Sequence, residues 1–246
     1  MTIYAILGAL IIGLTLGLTG AGGSIITLPV LVYLAKISPL EAVPMSLLIV
    51  GAAALTGALQ RLSNKEICLP TAGVFAVSGM VGAVGGARLT PLVSPQVLML
   101  IFAALMLLVA IQMFRPKPEA SERTEKSWQS KAAAGLGVGV LTGFIGVGGG
   151  FLLVPALLKF GGLKMKEAVG SSLAIIFFNC IAGFLSHLGQ TSLNWTLSGT
   201  YAGLAVIGVL LGTHFSTRLP ARVLRQGFAT MVVITGGFVL WKNLGS

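Results

Sequence analysis

Apolar residues are concentrated in ten runs along the chain, separated by short polar turns and by one long polar segment. The runs cover residues 2–18, 24–35, 40–60, 67–87 and 95–114, then 132–145, 150–161, 167–186, 194–213 and 220–241. A helix needs about 20 apolar residues to cross a bilayer, whereas a run of about 10–14 is more typical of a re-entrant or buried segment. The pattern predicts an all-α integral membrane protein that combines long spanning helices with shorter ones.

The same pattern of runs occurs twice along the chain. Residues Gly17 to Leu34 read GLTGAGGSIITLPVLVYL, and residues Gly143 to Phe160 read GFIGVGGGFLLVPALLKF, an offset of 126 residues. We therefore predict a fused duplication, with a first membrane repeat over 1–114 and a second over 132–246. The segment 115–131, which is rich in Pro, Glu and Lys, is predicted to be a linker.

Each repeat begins with an apolar stretch that is too long for one crossing. Residues 2–35 would measure about 50 Å as a single helix, against a hydrocarbon core of about 30 Å. Gly20, Gly22, Gly23 and Pro29 weaken a continuous helix. We predict a broken, re-entrant helix hairpin in each repeat, followed by three transmembrane helices. The alternative is that both glycine runs are sites of tight helix packing.

Loop charge favours the hairpins. If each stretch crossed once, the 16 basic residues would divide evenly between the two sides of the membrane. With hairpins, Lys36, Arg88 and Lys242 face one side and the remaining basic residues face the other. The positive-inside rule then predicts that both termini are outside and that the linker 115–131 is cytoplasmic. Three crossings per repeat also make the two repeats inverted in topology, a recurrent transporter design.

Composition supports lipid as the main solvent. Hydrophobic residues make up 55% of the chain and charged residues 9%, with a mean hydropathy of +0.97, whereas soluble domains carry about 25% charged residues. We predict a multi-pass protein of the cell inner (plasma) membrane. The net charge of +10 is spread over loops without aromatic interleaving, so we expect no nucleic-acid partner.

The residues exclude most enzymatic chemistry. The chain has no Asp, six Glu in or beside loops, and two cysteines without metal spacing. We find no paired carboxylates, no metal cluster and no nucleophile with a base. The sequence therefore predicts a protein that is not an enzyme and that has no catalytic residue, metal or cofactor.

The glycine breaks are the candidate binding chemistry. A helix that starts inside the membrane directs unpaired N–H groups and a partial positive charge into the turn before it. Glycines let an anion approach those donors, as in phosphate-binding loops. Serine hydroxyls on the next helix are further donors, although they could instead bond their own backbone. The predicted substrate-binding residues are Gly20, Gly22, Gly23, Ser24, Ser46, Gly146, Gly148, Gly149, Gly150, Ser171 and Ser172.

Other polar residues in the apolar runs have structural interpretations. Asn179, Thr56 and Gln60 are interpreted as interhelical hydrogen-bonding residues. His187 and His214 fall at predicted membrane edges and are interpreted as interfacial.

The two motifs GLTGAGGSIITLP and GFIGVGGGFLLVP, with the EAV-x-x-SL segments at 41–47 and 167–173, resemble the TauE/SafE family of sulfite exporter-like permeases. The resemblance covers the whole chain except the linker. It implies transport of sulfite, an organosulfonate or a related sulfur oxyanion. Gly170-Ser171-Ser172 in the second copy is replaced by Pro44-Met45-Ser46 in the first, which predicts an asymmetric pocket.

We therefore expect an anion permease, most simply an exporter driven by the membrane potential, with the substrate bound near the midplane. An anion channel or an uptake permease for a different small organic anion is the alternative. A structural scaffold would give no reason for two glycine breaks. The expected partners are the small anion and the lipid bilayer, and the sequence leaves a homodimer open.

Overall fold

The computed structural model describes residues 3–114, 127–146, 149–187, 193–216 and 219–244. This part of the chain contains ten α-helices and no strand, which confirms the all-α prediction. The helices are α1 (Ile3–Thr19), α2 (Gly22–Pro29), α3 (Pro39–Ser63), α4 (Leu69–Ala87), α5 (Pro95–Phe114), α6 (Trp128–Ile145), α7 (Gly150–Lys159), α8 (Met165–His187), α9 (Trp195–Ser216) and α10 (Ala221–Leu244).

The helix starts follow local capping chemistry. The Ser38 hydroxyl accepts from the Glu41 amide at 3.4 Å, and Pro39 occupies the first turn of α3. The Asn194 side chain accepts from the Leu197 amide at 3.0 Å at the start of α9. The Ser127 side chain caps α6 in the same way, so this helix begins inside the segment predicted as linker.

Among the described residues, five helices are long and apolar enough to cross a membrane: Pro39–Ser63, Leu69–Leu92, Met165–His187, Trp195–Ser216 and Arg222–Lys242. The sequence predicts α5 as a sixth span. The helix has 20 residues, but its described apolar part, Pro95–Ile111, falls among the shorter apolar helices. Large apolar side chains such as Val81, Leu185 and Ile234 are exposed on the outer faces. Such a surface is suited to lipid, and the chain is a multi-pass membrane protein.

The helices of the two repeats pack reciprocally. The helix α1 lies against α9, and α6 lies against α4. A Cβ added at Gly13 would overlap the Ala205 carbonyl, and one at Gly139 would overlap the Gly79 carbonyl. Both pairs are related by the 126-residue offset. The same offset relates three more pairs of close approaches: those of Gly17 and Gly143, of Gly82 and Gly208, and of Gly86 and Gly212.

The helix α2 runs back along α1. A Cβ at Gly23 would overlap the carbonyl of Ile12, and one at Gly8 would lie 3.0 Å from Val30. Contacts between early residues of α1 and late residues of the returning segment require an antiparallel hairpin. After Pro29 the returning segment continues as a π-helical turn, Val30–Leu34, because proline cannot donate within a regular α-helix.

Several helix ends meet at one end of the bundle. The Cys68 amide donates to the Ser171 hydroxyl at 3.0 Å, which joins the loop after α3 to the start of α8. The Lys131 ammonium lies 3.5 Å from the Thr71 hydroxyl, which adds the start of α6. Arg61 reaches Ser216, which adds the end of α9. This end carries the basic loops that the charge rule assigns to the cytoplasm.

The assignment of this end to the cytoplasm is a prediction that labelling can test. In a background with Cys68→Ala and Cys180→Ala, we expect a Lys65→Cys variant to react with a membrane-impermeant maleimide only from the cytoplasmic side. A Lys36→Cys variant, at the opposite end of α3, should react only from outside. Reaction of both cysteines from the same side, or of each from the side opposite to the one expected, would contradict this assignment.

Candidate functional site

The first break separates α1 from α2. Gly20 has a φ of +72°, a left-handed conformation that favours glycine. Its amide donates to the Leu16 carbonyl at 2.7 Å and so caps the end of α1. The Gly22 amide then donates to the Thr19 hydroxyl at 2.7 Å. The chain thus reverses direction, with the end of α1 capped by Gly20 and the first amide of α2 bonded to Thr19.

The second break separates α6 from α7. Gly146 has a φ of +73°, and its amide donates to the Thr142 carbonyl at 2.8 Å. Gly149 has a φ of +60°, and its carbonyl accepts from the amides of Leu152 and Leu153 at the start of α7. Both breaks therefore depend on left-handed glycines. Gly148, which was among the predicted site residues, lies outside the described residues.

Serines from the opposite repeat hold each break. The Ser172 hydroxyl of α8 lies 2.9 Å from the Gly20 carbonyl and 2.8 Å from its own Val169 carbonyl. The Ser46 hydroxyl of α3 contacts the Gly146 carbonyl and lies 2.8 Å from the Val43 carbonyl. The two arrangements are related by the 126-residue offset. In this conformation both hydroxyls donate to backbone carbonyls and join the two repeats.

The first turns of α2 and α7 meet in the interior. A Cβ added at Gly150 would lie 2.7 Å from the Ser24 hydroxyl oxygen and 3.1 Å from the Ala21 Cα. The Ser24 hydroxyl itself donates to the Ala21 carbonyl at 2.6 Å. All of these residues are buried. The structure therefore brings Ser24 and Gly150 together from two halves of the chain.

Of the predicted site residues, Gly23 also has a packing role, and Ser171 lies away from the breaks. Gly23 allows α2 to approach the Ile12 carbonyl, so the packing alternative raised for the glycine runs applies to this position. The Ser171 hydroxyl accepts from the Cys68 amide, and it is directed towards the loop after α3 rather than a break. The contact of Ser171 with Cys68 was not visible from the sequence, because the two residues are 103 positions apart.

The breaks flank the middle of the bundle. The helices α3 and α8 run antiparallel, because Gly57 faces Leu173 while Gly183 faces Leu47. Ser46 and Ser172 each lie about 10 Å along their helix from its start, at 1.5 Å per residue. Because α3 and α8 run in opposite directions, the two breaks lie on opposite sides of the centre of the bundle. The first turns of α2 and α7 lie between the two breaks.

No acidic side chain lies at the breaks among the described residues. Glu41 and Glu167 are in the first turns of α3 and α8, and Glu66 is in the loop after α3. The amide donors at the starts of α2 and α7 therefore have no nearby carboxylate to compete with an anion. The positive ends of the two helix dipoles act in the same sense.

Three polar residues lie in environments that differ from their interpretation from the sequence. Asn179 was interpreted as an interhelical hydrogen-bonding residue, but both atoms of its buried amide lack a partner within the described structure. His187 was interpreted as interfacial, but its side chain is buried and its ring lies 3.2 Å from the Gly143 carbonyl. Arg61 was counted as a loop charge, but it is buried in the helix bundle. Arg61 and His187 occupy equivalent positions in the duplication, and that is the signal that could have singled them out.

Comparison with known proteins agrees with this architecture. The sequence profile of the family described as "Sulfite exporter TauE/SafE" matches residues 5–239. A "Probable membrane transporter protein" of Xylella fastidiosa is 30% identical over 244 residues, which cover 96% of this chain and 94% of that protein. The "Probable membrane transporter protein YunE" of Bacillus subtilis is 24% identical over 270 residues, covering 99% and 98%. No solved structure matches the chain.

The relatives are described as membrane transporters and not as enzymes, in agreement with the absence of catalytic chemistry inferred from the sequence. The family match extends over both repeats and both helix breaks. The chain is therefore a membrane transporter that belongs to the TauE/SafE sulfite exporter family.

Proposed function

We propose that this transporter exports a small oxyanion, sulfite or an organosulfonate, which binds between the first turns of α2 and α7. One observation carries the proposal: two broken helices from opposite repeats present their N-terminal turns to the same buried place, at Ser24 and Gly150. The family description, which names sulfite export, supports the choice of substrate class.

The donors for the anion are backbone amides. In α2 the Gly22 amide is already bonded to Thr19, which leaves the first-turn amides of Gly23 and Ser24 without an intrahelical acceptor. In α7 the Gly149 carbonyl takes the amides of Leu152 and Leu153. Among the described residues, the earlier first-turn amides, those of Gly150 and Phe151, have no acceptor. Four N–H groups and two helix dipoles suit a compact, multiply accepting anion such as a sulfonate.

The structure is in a closed conformation at this place. Ser24 and Gly150 pack closely together and both are buried. An anion can therefore enter only if α2 and α7 separate. The bonds of Ser172 to the Gly20 carbonyl and of Ser46 to the Gly146 carbonyl join the two repeats at the two breaks. Breaking one bond while keeping the other would open the site to one side at a time, as alternating access requires.

The membrane potential supplies enough energy for export. Proton relays through membranes use Asp, Glu or His. The acids among the described residues lie at helix starts or in a loop, and the one buried histidine, His187, lies at the end of α8 against the Gly143 carbonyl. A potential that is negative inside drives a monovalent anion outwards with about 2.3 kcal/mol per 100 mV. That energy corresponds to a concentration ratio of about 50-fold, without a coupling ion.

Flux in liposomes tests the coupling. We expect purified protein to move sulfite and methanesulfonate down an imposed potassium-diffusion potential, with the rate rising as the potential becomes more negative on the side that holds the anion. A pH gradient alone should have little effect. Liposomes that contain the same amount of the Gly150→Ala variant serve as the control. Flux that needs the pH gradient and ignores the potential would contradict potential-driven export.

A channel would use the same amide donors, but the enclosed contact between Ser24 and Gly150 favours a carrier. Planar-bilayer recording distinguishes the two. We expect no unitary currents in methanesulfonate, because each anion must wait for a conformational cycle. Resolved single-channel currents would replace the carrier with a channel.

A further inference from the structure

Arg61 is a buried cation at the end of α3 where the basic loops meet. Its side chain is 2% exposed, and Nη1 donates to the Glu66 carboxylate at 2.5 Å. Nη2 donates to the Gly17 carbonyl at 3.0 Å and also to the Ser216 hydroxyl. Gly17 belongs to the last turn of α1, directly before the first break. Arg61 thus connects the loop at 64–68 with the entrance to that break.

The polar groups around Arg61 and Ser216 are only partly hydrogen-bonded. The Nε of Arg61 is buried and has no partner within the described structure. On α9, the hydroxyl of Thr213 is also buried without a partner, one turn before Ser216. The Ser216 hydroxyl donates to the Thr213 carbonyl at 3.0 Å, so these groups occupy one helix end. Unpaired buried donors of this kind are expensive unless a ligand uses them in another state.

The equivalent place in the second half of the chain holds a histidine instead of an arginine. His187 stands at the position equivalent to Arg61, and its ring lies 3.2 Å from Gly143, the equivalent of Gly17. Thr90, the equivalent of Ser216, donates to the Phe144 carbonyl at 2.8 Å. The second repeat therefore satisfies the same helix end without a permanent charge. The guanidinium and its carboxylate partner are additional features of the first repeat.

We propose that Arg61 is an anion-capture residue at the cytoplasmic entrance to the first break, and that Glu66 occupies it when no substrate is bound. This inference rests on the proposed function. The planar fork of a guanidinium pairs two oxygens of a sulfonate or sulfite as it pairs a carboxylate. Glu66 lies in a loop with its side chain 16% exposed, so its carboxylate can move into water when the oxyanion replaces it. The Arg61 guanidinium is paired with a negative group in both states, so no buried charge is left unpaired.

The Glu66→Gln variant tests the competition. We expect methanesulfonate to stabilise this variant against heat with a half-saturating concentration at least about tenfold lower than for the wild type, because the competing carboxylate is gone. Without anion the variant should melt below the wild type, and saturating methanesulfonate should remove most of the difference. Glu41→Gln, which removes the same charge at the other end of α3, should behave as the wild type. A purely structural ion pair predicts a deficit that is the same at every anion concentration, and that result would overturn the proposal.

The double variant Arg61→Gln, Glu66→Gln separates this inference from the proposed function. It removes both charges together, so it leaves no unpaired buried ion. We expect it to fold but to need at least about tenfold more methanesulfonate for half-maximal flux in liposomes. If the double variant matches the wild type in flux and anion response, Arg61 is not a capture residue and the site between α2 and α7 stands. If the wild type itself shows neither response, the proposed function fails together with this inference.

Discussion

The Gly150→Ala variant is expected to lower anion flux at least about tenfold while the protein still folds. The added methyl group would lie 2.7 Å from the Ser24 hydroxyl, 2.8 Å from Ile176 Cδ1 and 3.1 Å from the Ala21 Cα. Two of these neighbours are side-chain ends that can shift, so the closed bundle can accommodate the change. The methyl group nevertheless occupies the space where the first-turn amides of α2 and α7 converge. A tenfold loss corresponds to about 1.4 kcal/mol of transition-state stabilisation.

Flux of purified protein in liposomes, normalised to the inserted amount, is the measurement for Gly150→Ala. Gly203→Ala is the matched control, because it is the same substitution within a membrane helix and its Cβ would have no neighbour within 4 Å. The control should keep wild-type flux and gain slightly in stability, since alanine favours helix over glycine by about 1 kcal/mol. Wild-type flux in the Gly150→Ala variant would show that the anion does not pass between these two helix starts.

The largest effect on stability is expected at the crossings of α1 with α9 and of α4 with α6. Gly13→Leu would drive its side chain into the backbone of Ala205, and Gly139→Leu would drive its side chain into the backbone of Gly79. A backbone carbonyl cannot move aside as a side chain can, so each variant must separate two packed helices. We expect each to lose more than about 3 kcal/mol of stability, at or above the upper end of ordinary overpacking costs.

The yield of monodisperse protein and its melting temperature in detergent measure this effect. Gly199→Leu is the control, since nothing lies within 4 Å of a Cβ at that position and its side chain would meet only lipid or solvent. The reciprocal packing predicts that Gly13→Leu and Gly139→Leu are damaged to a similar degree. A well-folded Gly139→Leu protein beside an unfolded Gly13→Leu protein would contradict the equivalence of the two crossings.

Much of the helical framework could be predicted from the sequence, because its determinants are local. A run of apolar residues, a Ser38-Pro39 start or an Asn194 cap acts within a few neighbouring residues. The glycine breaks were also predictable, since a stretch such as 2–35 is longer than the bilayer is thick. Because the sequence is duplicated, each feature could be compared between two copies. The breaks were recognised because both copies contain one.

The candidate site was harder to predict, because its contacts join distant parts of the chain. Ser46 and Ser172 were recognised as residues that align, but nothing in the sequence shows that each is directed to a carbonyl of the opposite repeat. Arg61 was assigned to a loop, because an arginine at the end of an apolar run is usually solvated there. Its burial depends on Gly17, Ser216 and Glu66, which only the folded bundle brings together.

The location of a bound anion tests the account most directly. Crystals of the protein grown with 2-bromoethanesulfonate would reveal the bromine by anomalous scattering, and the attached sulfonate could then be placed. We predict that the sulfonate lies within hydrogen-bonding distance of first-turn amides of both α2 and α7, with Ser24 and Gly150 moved apart. A sulfonate bound elsewhere in the bundle, with Ser24 still packed on Gly150, would contradict the proposed site.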